Sequence, residues 1–297
     1  MWDSLQDGLI RGDVQSLART ISLVENEVPG YETFLPSLTL APIPVIGITG
    51  PPGAGKSTLT DALIEQYVGQ GKKIAVICID PSSPFNRGAL LGDRIRMSHW
   101  YNHPRVFIRS LASRGSLGGL NPKVIEITDV LKASVFDVIL VETVGVGQSE
   151  VEIAGLADVT VVAIVPEAGD DIQTMKAGLM EIADVFVVNK ADRPGADTFM
   201  NNLRQMLAPA YARKQIEIPV VQTIASEKKG IDILYQAIEQ VLLVKEKNDL
   251  RDLLLAEKLW TLIQKKRMEG LSKALLLETI KKTTERNLYK LLEDMQD

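Results

Sequence analysis

Short β-branched runs alternate with longer amphipathic stretches through most of this chain. Residues 45–49, 73–79, 106–108, 138–141, 159–165, 185–188 and 219–224 are apolar runs of the length of a buried strand. Between most of them, residues 58–68, 123–131, 171–183, 198–211 and 231–244 repeat apolar positions at helical spacing. Strands that alternate with helices of this length pair in parallel through right-handed crossovers. The pattern therefore predicts an α/β fold, a doubly wound and mainly parallel sheet.

The two ends read differently. Residues 1–40 carry six acidic and two basic side chains, with Leu5, Leu9, Ile10, Val14, Leu17 and Ile21 at roughly helical spacing. The β-branched character starts only after Pro42. Beyond Pro219 there is no proline, and residues 245–297 set 12 basic and 10 acidic groups around Leu253, Leu254, Leu259, Trp260, Leu262 and Ile263. Three segments are expected: an N-terminal helical extension (1–41), a sheet domain (42–244) and a C-terminal helical extension (245–297). The leucines of the last segment suit a helix–helix contact, because charges of both signs alternate among them.

Composition narrows the function. With 297 residues, 45% apolar and 24% charged, the chain can bury a large core. A net charge of −5 gives no surplus for a polyanion, so nucleic acid is not expected as a partner. No apolar run approaches the ~20 residues of a membrane span, and residues 1–10 contain no basic residue, so a cytoplasmic protein without a membrane partner is expected. Cys78 lies inside an apolar run and reads as a small core residue, and the only histidines, His99 and His103, flank Trp100 and Tyr101 in a loop. Neither redox nor zinc chemistry finds support in so few ligands.

The chemistry lies at strand ends. Gly50-Pro51-Pro52-Gly53-Ala54-Gly55-Lys56-Ser57-Thr58 follows the first strand run and opens a helical stretch, the context of a phosphate-binding loop. Its glycines let backbone N–H groups turn toward phosphates, Lys56 reaches the β and γ phosphates, and Ser57 offers a hydroxyl to Mg²⁺. The spacing does not fit the dinucleotide fingerprint. Asn189-Lys190-Ala191-Asp192 follows the sixth run. A carboxylate at Asp192 accepts from two guanine N–H groups, a pair adenine lacks, while Asn189 braces the loop and the Lys190 stem lies along the base. Ala225 and Ser226, after the last run, fall where a further base-contacting loop belongs. Asp80, Asp93 and Glu142 lie at or near strand ends where oxygen ligands for Mg²⁺ are needed. Glu142-Thr143-Val144-Gly145 stands in the place of a D-x-x-G switch, whose glycine amide senses the γ-phosphate. Lys56, Asp93, Glu142 and Gly145 are thus the candidate catalytic groups. Val146 occupies the position of a water-orienting glutamine and Gln148 is two positions out of register, so slow unaided GTP hydrolysis is expected.

These strings, with Asp80-Pro81-Ser82-Ser83-Pro84, Gly88-Ala89-Leu90-Leu91-Gly92-Asp93-Arg94, Ser113-Arg114-Gly115, Glu142 through Glu150 and Gly169-Asp170-Asp171-Ile172-Gln173, resemble the MeaB/ArgK family of P-loop GTPases from about residue 42 to 244. The resemblance implies a chaperone of methylmalonyl-CoA mutase and similar cobalamin-dependent acyl-CoA mutases. Nucleotide state would govern adenosylcobalamin loading, removal of inactive cofactor and protection of the mutase. It also implies GTP or GDP with Mg²⁺ as the bound groups, Lys56, Ser57, Asp80, Asp93 and Glu142 around them, an additional switch over residues 167–176, and a C-terminal arm that makes a homodimer. A nickel metallochaperone of the same fold and an ATP-dependent small-molecule kinase are the alternatives. The first needs more thiols or histidines than this chain has, and the second has no use for Asn189 and Asp192.

Overall fold

The computed structural model describes residues 1–80, 97–113, 120–145, 149–168, 177–214, 218–244, 249–268, 271, 273–283 and 287–293. Seven parallel strands form one sheet: β1 (Val45–Thr49), β2 (Ile74–Asp80), β3 (Val106–Ala112), β4 (Val138–Glu142), β5 (Val159–Ile164), β6 (Val185–Asn189) and β7 (Val220–Thr223). Their order is β3-β2-β4-β1-β5-β6-β7, so β1 lies at the centre and the chain winds outward on either side of it. β1, β2, β4, β5 and β6 are buried at every position. That is why their sequences are continuous apolar runs rather than alternating ones.

Helices cover both faces. They are α1 (Trp2–Arg11), α2 (Val14–Glu25), α3 (Tyr31–Phe34), α4 (Lys56–Gly69), α5 (Val124–Lys132), α6 (Ser149–Leu156), α7 (Ala177–Ile182), α8 (Ala196–Lys214) and α9 (Ile231–Val244). Alternate strand residues go to opposite faces. Ile46, Ile48, Val76, Leu140, Val161 and Val187 pack with Leu59, Leu63 and Tyr67 of α4 and Leu234 and Ile238 of α9. Val162, Ile164, Phe186 and Val188 meet Leu179 of α7 and Phe199, Leu203 and Leu207 of α8.

The N-terminal extension holds three α-helices, and the apolar spacing read from the sequence runs straight through the break between the first two. Gly12 at φ 74° ends α1, and the Asp13 carboxylate accepts from the Ser16 N–H at 2.8 Å to start α2. Two of its acidic residues have partners on the sheet domain. Glu25 pairs with Arg109 of β3 at 3.2 Å, and Glu27 with Lys123 at 2.8 Å. Lys123 also lies 3.3 Å from Glu126 and 4.7 Å from the centre of the Tyr31 ring. Burial opposes the Lys123 ammonium, but Glu27, Glu126 and Tyr31 outweigh that cost and hold its pKa above the ordinary lysine range.

The chain divides into two compact units, residues 1–251 and 252–297. The second is built from α10 (Asp249–Arg267), which begins just ahead of it, with α11 (Lys273–Lys282) and α12 (Leu288–Glu293). Leu253, Leu259, Trp260 and Leu275 are exposed there.

Candidate functional site

The phosphate-loop sequence runs from the C-terminal end of β1 into α4. Gly55 precedes the helix at φ 85°, and a Cβ there would stand 2.5 Å from Asn189 Nδ2, so only glycine lets the loop pass the base-side strand. Lys56 is the first residue of α4 and is 7% exposed. Its Nζ donates to the carbonyl oxygens of Gly50 at 3.0 Å and Pro51 at 3.1 Å, folding the ammonium over the loop it is expected to serve. Ser57 is buried beside it.

Glu142 closes β4, in register with Ile48 of β1 and Cys78 of β2. Its Oε1 accepts from Ser57 Oγ at 2.6 Å, and its Oε2 lies 3.0 Å from Thr60 Oγ1. Asp80, buried at the end of β2, shares a face with Cys78 and so with the α4 side of the sheet. Thr49 and Thr143 share a buried hydrogen bond at 2.9 Å, which ties the end of β1 to the residue after Glu142. Gly145 follows at φ 83°. A Cβ there would lie 2.3 Å from Lys56 Nζ and 2.4 Å from the Gly50 carbonyl oxygen, so this backbone is in close approach to the phosphate loop. Asp93, Val146, Gln148 and residues 169–176 lie outside the described residues.

Asn189 joins the two halves of the site. Its Nδ2 donates to the Ala54 carbonyl at 2.9 Å, and its Oδ1 accepts from Thr223 Oγ1 at 3.0 Å and the Ala225 N–H at 3.2 Å. Lys190 adopts φ 57° and donates from Nζ to the Gly53 carbonyl at 2.7 Å, so its stem runs back toward the loop. Asp192 and Ser226 are exposed, and Ala225 begins a single 3₁₀ turn, Ala225–Glu227. Arg193, next to Asp192, is ion-paired with Glu167 and holds that carboxyl below the usual carboxylate range.

The sequence-predicted groups from the phosphate loop, the Asn189 turn, Ala225 and Glu142 are thus gathered at the C-terminal edge of the sheet, where doubly wound folds bind ligands. Thr60, Thr49 and Thr143 were not among them. For Thr60 the signal was available, since it stands three residues after Ser57 and so on the same helix face. Cys78 is buried in the core, as its apolar run suggests. His99 Nε2 lies 3.3 Å from Asp61 Oδ1, which also accepts from Trp100 Nε1 at 2.7 Å.

Comparison with known proteins agrees with this layout. The solved structure described as "Crystal structure of LAO/AO transport system kinase" superposes with a TM-score of 0.70 at 28% identity, covering 100% of this chain and 98% of that one. Transport is part of that protein's name; among the described residues here no helix is long and apolar enough to cross a membrane. "GTPase ArgK" of Escherichia coli (strain K12) is 39% identical over 241 residues, 77% of this chain and 72% of its own. "Fused isobutyryl-CoA mutase" of Geobacillus kaustophilus (strain HTA426) is 36% identical over 244 residues, 76% of this chain and 22% of its own. Residues 17–279, reaching into both extensions, match the family described as "Methylmalonyl Co-A mutase-associated GTPase MeaB", and the chain is a P-loop GTPase belonging to that family.

Proposed function

We propose that this GTPase is the nucleotide-driven chaperone of a cobalamin-dependent acyl-CoA mutase of the methylmalonyl-CoA mutase type. Its nucleotide state would gate adenosylcobalamin loading, removal of inactive cofactor and protection of the mutase, in the cytoplasm. The match to a mutase-associated family over most of the chain carries this reading. A relative named as a fused mutase, in which the matching region is 22% of the protein, supports it.

On this reading the loop 50–58 cradles the phosphates of GTP or GDP and the Lys56 ammonium leaves its two carbonyl partners for the β and γ phosphates. Asp192 selects guanine, with Asn189, Lys190, Ala225 and Ser226 shaping the base side. Gly145, whose backbone already approaches Gly50, reports the γ-phosphate. The Ser57 hydroxyl and the Glu142 and Asp80 carboxylates form a set of hard oxygen donors at one sheet edge, which suits Mg²⁺, and Asp93 is assigned with them from sequence alone. Bound there, Mg²⁺ would neutralise charge on the phosphate oxygens. Ser57 and Glu142 hold one another in place, and Lys56 supplies the remaining positive charge. Val146 provides no group to orient water, so the client mutase is assigned to complete the site. Residues 245–297 are assigned to a homodimer contact.

The test is a pull-down of the purified mutase with the GDP-bound and GTP-analogue-bound protein, together with adenosylcobalamin loading. Nucleotide-dependent capture with altered loading is the expected result. No capture in either state would remove the chaperone assignment and leave the GTPase.

A further inference from the structure

Thr60 is fully buried in α4, and a buried hydroxyl is costly unless it is hydrogen-bonded. Two acceptors lie within its reach. Its Oγ1 is 2.9 Å from the Lys56 carbonyl oxygen and 3.0 Å from Glu142 Oε2. A hydroxyl has one proton, and a carboxylate is a stronger acceptor than an amide carbonyl, so the proton serves Glu142. Ser57, one turn earlier on the same helix face, holds the other carboxylate oxygen at 2.6 Å.

The consequence is a two-point grip. The backbone of Glu142 is fixed by pairing with β1 and β2, but its side chain has three free torsions. Two hydroxyls three residues apart on one helix hold the two carboxylate oxygens at once and so fix the plane of the group. Glu142 stands where the D-x-x-G pattern has the shorter aspartate, and an aspartate is one methylene short of this reach. Thr60 is therefore matched to the longer carboxylate.

We propose that Thr60 is a positioning residue that fixes the Glu142 carboxylate for Mg²⁺-dependent nucleotide binding; the inference rests on the Mg²⁺ reading above. The measurement is equilibrium affinity for a fluorescent GDP, in saturating Mg²⁺ and in EDTA, on the full chain. The ratio of the two affinities is the gain from Mg²⁺. Thr60→Val, which keeps the shape and removes the hydroxyl, should cut that gain roughly tenfold while leaving the EDTA affinity within about twofold. Thr60→Ser should keep it within about twofold. On a Glu142→Asp background, where the reach is already lost, Thr60→Val should lower the gain no further. Thr60→Ala is read in parallel, so a folding failure of one substitution leaves the other to decide. A Thr60→Val protein with the unaltered gain overturns the proposal, and so does a Thr60→Ser protein as impaired as Thr60→Val. An unaltered protein with no gain from Mg²⁺ overturns the Mg²⁺ reading itself, a result distinct from either.

Discussion

Replacing Asn189 should unfasten the phosphate loop from the base-side loops in one step. The side chain is 2% exposed and makes three hydrogen bonds, to the Ala54 carbonyl, the Thr223 hydroxyl and the Ala225 N–H. Truncation in Asn189→Ala leaves all three partners without it. Ala54, Thr223 and Ala225 are buried as well, so water does not repair the loss. At roughly 1 kcal/mol per bond the cost is about 3 kcal/mol. If that cost falls on the nucleotide-binding arrangement, GDP affinity drops about 100-fold, the equivalent of roughly 2.7 kcal/mol. Asn189→Asp separates the two sides of the bridge. It retains the acceptor for Thr223 and Ala225 but sets an anionic oxygen against the Ala54 carbonyl where a donor stood at 2.9 Å. Both substitutions should therefore weaken GDP, whereas only Asn189→Ala frees Thr223 and Ala225. Fluorescent GDP titration beside urea unfolding measures both quantities. An Asn189→Ala protein with GDP affinity within about threefold of the unaltered chain and an unchanged unfolding midpoint would refute the bridge.

Lys123→Met should lower stability by about 3 kcal/mol, because it leaves Glu126 buried without its cation and cuts the tie to Glu27 of the N-terminal extension. The Lys123 pKa is raised on folding, so its contribution is complete below the ordinary lysine value and is lost only as pH rises through the raised one. The difference in unfolding free energy between the two proteins should therefore stay flat from about pH 6 to 9, and a deficit that disappears within that window would contradict the assignment. Asp192→Asn should exchange GTP preference for xanthosine triphosphate in a turnover assay, and equal use of ATP and GTP by the unaltered protein would overturn the base assignment. Deleting residues 245–297 should leave a GTP-binding monomer by light scattering, where the full chain is a dimer; a full chain that is monomeric at micromolar concentration refutes the arm.

Much of this arrangement is legible in the sequence, for a physical reason. Strands buried on both faces have to be continuous apolar runs, and the residues that end them, Asp80, Glu142 and Asn189, are polar because the sheet edge is where polar groups meet a ligand. Each of the three proves to be the last residue of its strand rather than the first of the following loop. The division of the N-terminal extension at Gly12 and Asp13 is less visible, because the apolar spacing of α1 and α2 continues through the break. Local cap chemistry decides it instead. The roles of Glu25 and Glu27 could not be read at all, since their partners Arg109 and Lys123 are far away in the chain. Thr60 lies between these cases. Its helical spacing from Ser57 is written in the sequence, but its approach to Glu142 depends on how α4 packs against β4.

On the proposed function, a client mutase completes this GTPase. Gly145 stands against the phosphate loop and Val146 follows it where a water-orienting side chain is expected. The decisive measurement is the rate of GTP hydrolysis with and without a cobalamin-dependent acyl-CoA mutase encoded near this protein. A rise of at least roughly tenfold, about 1.4 kcal/mol of barrier, is the predicted result. A mutase that binds yet leaves both hydrolysis and cofactor exchange unchanged would contradict it.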